Sequence, residues 1–128
     1  MTSVLCICDQ GYRATTEEQD DTVIWIAHML QREEATSVAV LLRGTAVNYA
    51  NRAQESVGVT FGDWTQAHPA DFPRDLARFQ ADGGTVLVSA SDLSRYGLTE
   101  SDLVPDITIV EDNELAGLVA DHDMVSFW

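Results

Sequence analysis

Lysine is missing from this chain altogether. All seven basic residues are arginine, against twenty-one acids, which leaves a formal charge of −14 over 128 residues. A surface so short of cations repels phosphate backbones, so no nucleic acid is expected as a partner. It repels anionic lipid headgroups for the same reason, and no membrane association is expected. Long apolar runs are absent too, none approaching the roughly 18 residues that span a bilayer. The opening Met1 to Cys8 lacks a basic flank, and its apolar run is shorter than that of a secretory leader, so the expected location is the cytoplasm. No linker, repeat or low-complexity tract interrupts the chain. The dinucleotide pattern G-x-G-x-x-G, the P-loop, H-E-x-x-H and C-x-x-C are all lacking, and neither a metal nor a cofactor is expected.

What is present describes a globular protein. A hydrophobic content of 45% and this length fit a single domain over residues 1–128, large enough to bury a core. Strong negative charge favours solubility but strains the compact state by self-repulsion, a lever associated with halophiles. The lysine-free, Asp-rich composition fits a salt-loaded cytoplasm; an arginine-biased genome is the plainer alternative. The two cysteines, Cys6 and Cys8, lie two apart on a predicted first strand, so both point to the same face. An extended pair so spaced holds its Cα atoms near or beyond the roughly 6.8 Å limit of disulfides, and reduced thiols are expected.

Taken in order, residues 3–8 read as a buried strand that breaks at Asp9-Gln10-Gly11-Tyr12-Arg13. Thr15 or Thr16 can cap a helix whose first turn holds Glu17, Glu18, Asp20 and Asp21, favourably near its positive end. Val23, Ile26, Ala27 and Leu30 recur at helical spacing, with Trp25 and Met29 widening the apolar stripe up to Arg32. Residues 37–42 form a second buried strand, followed by Arg43-Gly44-Thr45 and a short helix from Ala46 to Arg52. Residues 53–70 are weakly patterned: a lid, a subunit contact or an ordinary surface excursion around Trp64. Asp71 and Pro73 start a helix carrying Leu76 and Phe79 inward. Gly83 and Gly84 end it, and Thr85 to Val88 form a central strand. Ser89, Ser91 and Asp92 turn the chain into a short helix closed by Gly97. Thr99 to Asp102 resembles a capping box. A strand at Asp106–Val110, a helix at Asp112–Ala120 with Leu115, Leu118 and Val119 on one face, and a strand at Met124–Trp128 complete the chain. Strands alternating with helices predict a three-layer α/β/α fold around a five-stranded parallel sheet.

The stretch Gly84 to Leu98, reading Gly-x-Val-x-Val-x-Ala-x-x-Leu-x-x-x-Gly-Leu, resembles the DsrE/DsrF/TusD-like proteins of sulfur metabolism. The strand–helix order, the apolar first helix and the Asp123-x-x-x-Phe127 ending extend the likeness over nearly the whole chain. It implies a DsrE-like domain that assembles as trimers or hexamers, with itself or with other subunits, and a sulfur-carrier protein as partner. In active members a cysteine eight residues before the glycine closing this helix carries persulfide sulfur. Counted back from Gly97, that position is Ser89.

Serine cannot hold sulfane sulfur, because its oxygen forms no stable bond to it. As a nucleophile Ser89 would need an adjacent base, and no histidine neighbours it in sequence. It reads as a polar group lining the family's pocket or, more plainly, as a helix cap. Cys8, at the end of the first strand, is the other catalytic candidate, a substitute sulfur acceptor if nearby amides or Arg13 stabilise its thiolate. A buried cysteine that packs as a small hydrophobe is the plainer account of it. Asp9, Gly11, Arg13, Gly44 and Ser89 bound a candidate ligand pocket at the carboxyl ends of the strands. His28 reads as a satisfied core or interface histidine, and His122 as a helix-end residue. Three functions follow: a non-catalytic sulfur-relay partner, a sulfurtransferase using Cys8, or a small-ligand binding module. The aromatics Trp64, Tyr96 and Trp128 are candidates for subunit contacts.

Overall fold

A computed structural model describes residues 1–11, 19–55 and 57–128, with the backbone alone at 19–21. The first helix cap at Thr15 or Thr16, its acids Glu17 and Glu18, and Arg13 lie outside the described residues.

Five strands make one parallel sheet: β1 (Thr2–Cys8), β2 (Thr36–Leu42), β5 (Thr85–Ser89), β6 (Thr108–Val110) and β7 (Met124–Phe127), in the order β6-β5-β2-β1-β7. The register runs Cys8 beside Leu42, Leu42 beside Val88, and Val110 beside Ser89. The central strands are apolar at consecutive positions because both of their faces are covered. One face holds Val4, Cys6, Cys8, Val40, Leu42, Val86 and Val88 under α1 (Gln19–Gln31), α2 (Phe72–Ala81) and α3 (Ala90–Arg95). The other holds Leu5, Ile7, Leu41, Leu87 and Val110 under α4 (Leu115–Ala120), six residues long, which contributes Leu115 and Leu118.

Short polar signals placed several element ends correctly. Asp71 accepts a hydrogen bond from the Arg74 N–H and caps α2. Thr99 and Asp102 form the reciprocal capping box. Gly83 takes φ +95° at the end of α2 and Gly97 φ +69° after α3, conformations that suit glycine. Gly84 serves differently: a Cβ there would sit 2.3 Å from the ring of Phe79, so the missing side chain lets α2 close onto β5. His28 lies 2.6 Å from Asp82 and edge-on to Phe79, joining α1 to the end of α2 as a structural group.

Several expectations are corrected. Trp25 is 60% exposed and Met29 lies on the same outer side of α1, so the apolar stripe is narrower than its sequence: Val23, Ile24 and Ala27 are the buried residues. The helix expected over Ala46–Arg52 is a 3-10 helix over Gly44–Ala50. Within 53–70 a small hairpin, β3 (Thr60–Phe61) and β4 (Trp64–Thr65), turns at Gly62. Asp106 adopts φ +68°, which delays the next strand to Thr108. The helix expected from Asp112 begins as a 3-10 turn (Asp112–Glu114), and Val119 is exposed instead of sharing the inward face of Leu115 and Leu118.

Candidate functional site

The carboxyl ends of the strands gather most of the residues singled out from sequence. Arg43 N–H donates to the Cys8 carbonyl (2.9 Å), locking the exits of β1 and β2 together. Arg43 Nε stands 3.7 Å from Asp9 Oδ1. Gly44 has φ +52°, and a Cβ on it would lie 2.4 Å from the Asp9 carbonyl oxygen, so only glycine lets these two loops touch. The Gly44 N–H donates to Asp92 Oδ2 (2.8 Å), which ties the β2 exit to α3. The Gly11 N–H donates to Thr45 Oγ1 (2.8 Å). Asp9, Gly11, Gly44 and Ser89 therefore share one rim, whereas Arg13 lies outside the described residues.

Ser89 is 1% exposed and caps α3 by accepting from the Asp92 N–H (3.3 Å). Its Oγ is 3.2 Å from Ser91 Oγ, which donates to Asp112 Oδ1 (2.8 Å). A carboxylate only accepts and each hydroxyl has one proton, so the polarity of this chain is fixed: Ser89 donates to Ser91, and Ser91 to Asp112. The Ser89 proton is thus committed toward a carboxylate two groups away. Among the described contacts of this chain of groups there is no imidazole: His28 is engaged with Asp82, and His122 Nδ1 lies 2.7 Å from the Leu118 carbonyl.

Cys8 reaches the same rim from the other face. It is 3% exposed, belongs to the core cluster under α1 and α2, and its Sγ lies 3.6 Å from the Gln10 carbonyl as a weak donor. Ser89 is in register with Val110, which packs on the α4 face. The two side chains therefore point to opposite faces of the sheet, with β2 between their strands, about 10 Å apart by strand spacing. Cys6 is a core group whose thiol is pushed up by burial, partly offset by a hydrogen bond with Ser126. Cys6 and Cys8 are not joined by a disulfide.

The strand order reverses at β1, where β2 lies to one side and β7 to the other. Ligands of open α/β sheets favour such a switch point. Asp9 stands there, its N–H donating to the Trp128 carbonyl (3.2 Å). Sequence reasoning missed Arg43, Thr45, Asp112 and Trp128 as members of this rim and read Ser91 and Asp92 only as turn residues. Their contacts span up to 48 positions, as in Gly44 to Asp92, and no local pattern marks them. A separate shallow groove of about 580 Å³, lined by Gln80, Thr85, Pro105 and Asp106 among others, lies at the opposite, amino end of β5 and β6. Among the described residues no group of three or more His, Cys, Asp or Glu side chains is placed to hold a metal ion. No described helix is long and apolar enough to cross a membrane.

No protein-family model matches the sequence, and no curated protein does. Solved structures do resemble it. The ychN protein of E. coli superposes with a TM-score of 0.80 at 16% identity, over 100% of both chains. MTH1491 of Methanobacterium thermoautotrophicum, described as a protein of unknown function, gives 0.64 at 13% identity over 94% of this chain and 90% of its own. At such identities the likeness concerns the backbone, and it is to DsrE-like proteins: this chain has the DsrE-like α/β fold.

Proposed function

We propose that this is a cytoplasmic protein of the sulfur-relay type that serves as a non-catalytic partner subunit, within a trimeric or hexameric assembly and toward a sulfur-carrier protein. One observation carries the reading. At the position where the sequence resemblance puts the sulfur-bearing thiol, Ser89 supplies a buried oxygen already committed to capping α3 and to the Ser91–Asp112 chain. An oxygen there keeps the local architecture and removes the sulfur chemistry. Cys8 is a poor substitute, because its thiol lies on the other face of the sheet and points at the Gln10 carbonyl, an acceptor that favours the protonated form.

Incubation with inorganic polysulfide followed by intact-mass measurement tests the proposal. The wild-type protein is expected to keep its mass. Ser89→Cys is expected to gain the mass of sulfur, since a thiol there inherits the Asp92 N–H as a thiolate donor. A sulfur adduct on the wild-type chain that disappears in Cys8→Ser would overturn the proposal in favour of a sulfurtransferase. A small-ligand reading of the rim draws support from the position of Asp9 at the reversal of strand order. Protection of the rim amides from hydrogen exchange by a bound small molecule would establish it.

A further inference from the structure

The last part of the chain combines exposed apolar surface with one sign of charge. β7 is an edge strand, and Met124 (59%) and Phe127 (63%) are largely exposed, with Val125 and Trp128 open as well. Edge strands are ordinarily blunted by lysine, proline, a bulge or an inward charge. Residues 124–128 (Met-Val-Ser-Phe-Trp) contain neither charge nor proline. Among the described residues no strand pairs with the outer side of β7. The Trp128 N–H donates to the Ile7 carbonyl and its own carbonyl accepts from Asp9, so residue 128 faces β1. Backbone direction alternates along a strand, which turns the N–H and C=O groups of Val125 and Phe127 outward. The side chains of both point to the face crossed by α4, since Val125 is in register with Leu5. That helix, Leu-Ala-Gly-Leu-Val-Ala, has no polar residue, yet Ala116, Gly117, Val119 and Ala120 are exposed. A helix apolar all round is normally buried.

Charge selects what covers this surface. Every arginine of the chain lies at or before Arg95. Glu111, Asp112 and Glu114 precede α4, and Asp121 and Asp123 stand between it and β7, with no lysine or arginine in the segment to offset them. A second copy would bring a net −14 against −14. A cationic partner gains where a second copy loses.

We propose that the α4–β7 face is a docking surface for another protein, which adds an extended segment alongside β7. The segment alternates apolar and aromatic side chains and is flanked by lysine or arginine. Its backbone pairs with Val125 and Phe127, its apolar side chains cover Phe127 and Val119, and its cations meet Asp121 and Asp123. The proposal is independent of the chemistry at Ser89: mass measurement decides that question, and peptide binding decides this one.

The test uses short synthetic peptides with a Val/Phe-alternating core. One is flanked by arginines, one carries the same core flanked by glutamates, and one has arginines flanking a glycine–serine core. Calorimetric titration is expected to show binding of the first, roughly tenfold or more tighter than of the other two, and weakening with added salt. Phe127→Asp and Val119→Asp are the deciding variants. Each adds negative charge at an exposed position, so mere attraction to an acidic protein would tighten in them, whereas strand addition on an apolar edge would weaken about tenfold. Unchanged circular dichroism would show that the variants fold, and Phe61→Asp, on the distant hairpin, is expected to bind like wild type. Equal affinity for the arginine- and glutamate-flanked peptides overturns the proposal, as does undiminished binding in both deciding variants. Sedimentation showing self-association that Phe127→Asp abolishes also overturns it, by giving the surface to a second copy.

Discussion

The two faces of the sheet are built unequally. Under α1, α2 and α3 the core is continuous, with Leu76, Phe79, Val40, Val86 and Val88 fully buried and Tyr49 stacked on Phe72 at 3.8 Å. The opposite face relies on the six residues of α4, whose Leu115 and Leu118 are only partly buried. The first face therefore carries more of the cohesion. The second carries the exposed apolar surface, and the buried Ser89 side chain lies on that side of the sheet. Cys8 falls on the first, which explains its enclosure better than any catalytic demand does.

Substitutions can break this contrast. Phe79→Ala should cost about 3–5 kcal/mol, because it empties a fully enclosed site against Gly84. Leu118→Ala on the thin face should cost about 1 kcal/mol. Equal shifts of the urea midpoint in the two variants would show the faces to be equivalent. Next in size is Gly44→Ala, where a positive φ and contact with the Asp9 carbonyl predict a loss of about 1–3 kcal/mol. Loosened hydrogen-exchange protection at Gly11 and Asp92 should accompany it. Ser89→Ala removes the α3 cap and should cost about 1 kcal/mol, read from thermal melting with the fold retained. The smallest effect concerns Asp123, whose carboxylate accepts from the Ser3 N–H and hydroxyl and is held below the usual carboxylate range by them. Its folded value is depressed, so the contribution is complete above the ordinary carboxylate range and fades as pH falls through the lowered value. Asp123→Asn should lower stability slightly at neutral pH, where that contribution is complete, change little at the acid end, and so flatten that part of the acid limb of a stability–pH curve.

Much of the chain was legible because its signals are local. Asp71, Thr99 with Asp102, Gly83 and Gly97 mark element ends through their own backbone chemistry, within a few residues of the feature they specify. The alternation of strands with helices pointed to the parallel sheet. Hydrophobicity misled where it had no directional partner. Trp25 and Met29 fit the apolar stripe of α1 yet face solvent, because Val23, Ile24 and Ala27, with Leu30 packed beside them, already fill the side turned to the core. Val119 failed in the same way beside Leu115 and Leu118. The hairpin at β3 and β4 has two residues per strand, too few for alternation to register.

The candidate site divides along the same line. Sequence alone determined that Asp9, Gly11 and Gly44 follow strand ends, that Ser89 stands at one, and that no arginine lies beyond Arg95. Those are facts of residue order, and period-2 and helical geometry translate them directly. Only the tertiary structure decided that Cys8 and Ser89 face opposite sides of the sheet, that Asp92 reaches back to Gly44, and that β7 is an edge which no described strand covers. Each depends on which strand lies beside which, and that is set by how distant helices pack across the two faces, not by any neighbouring residue.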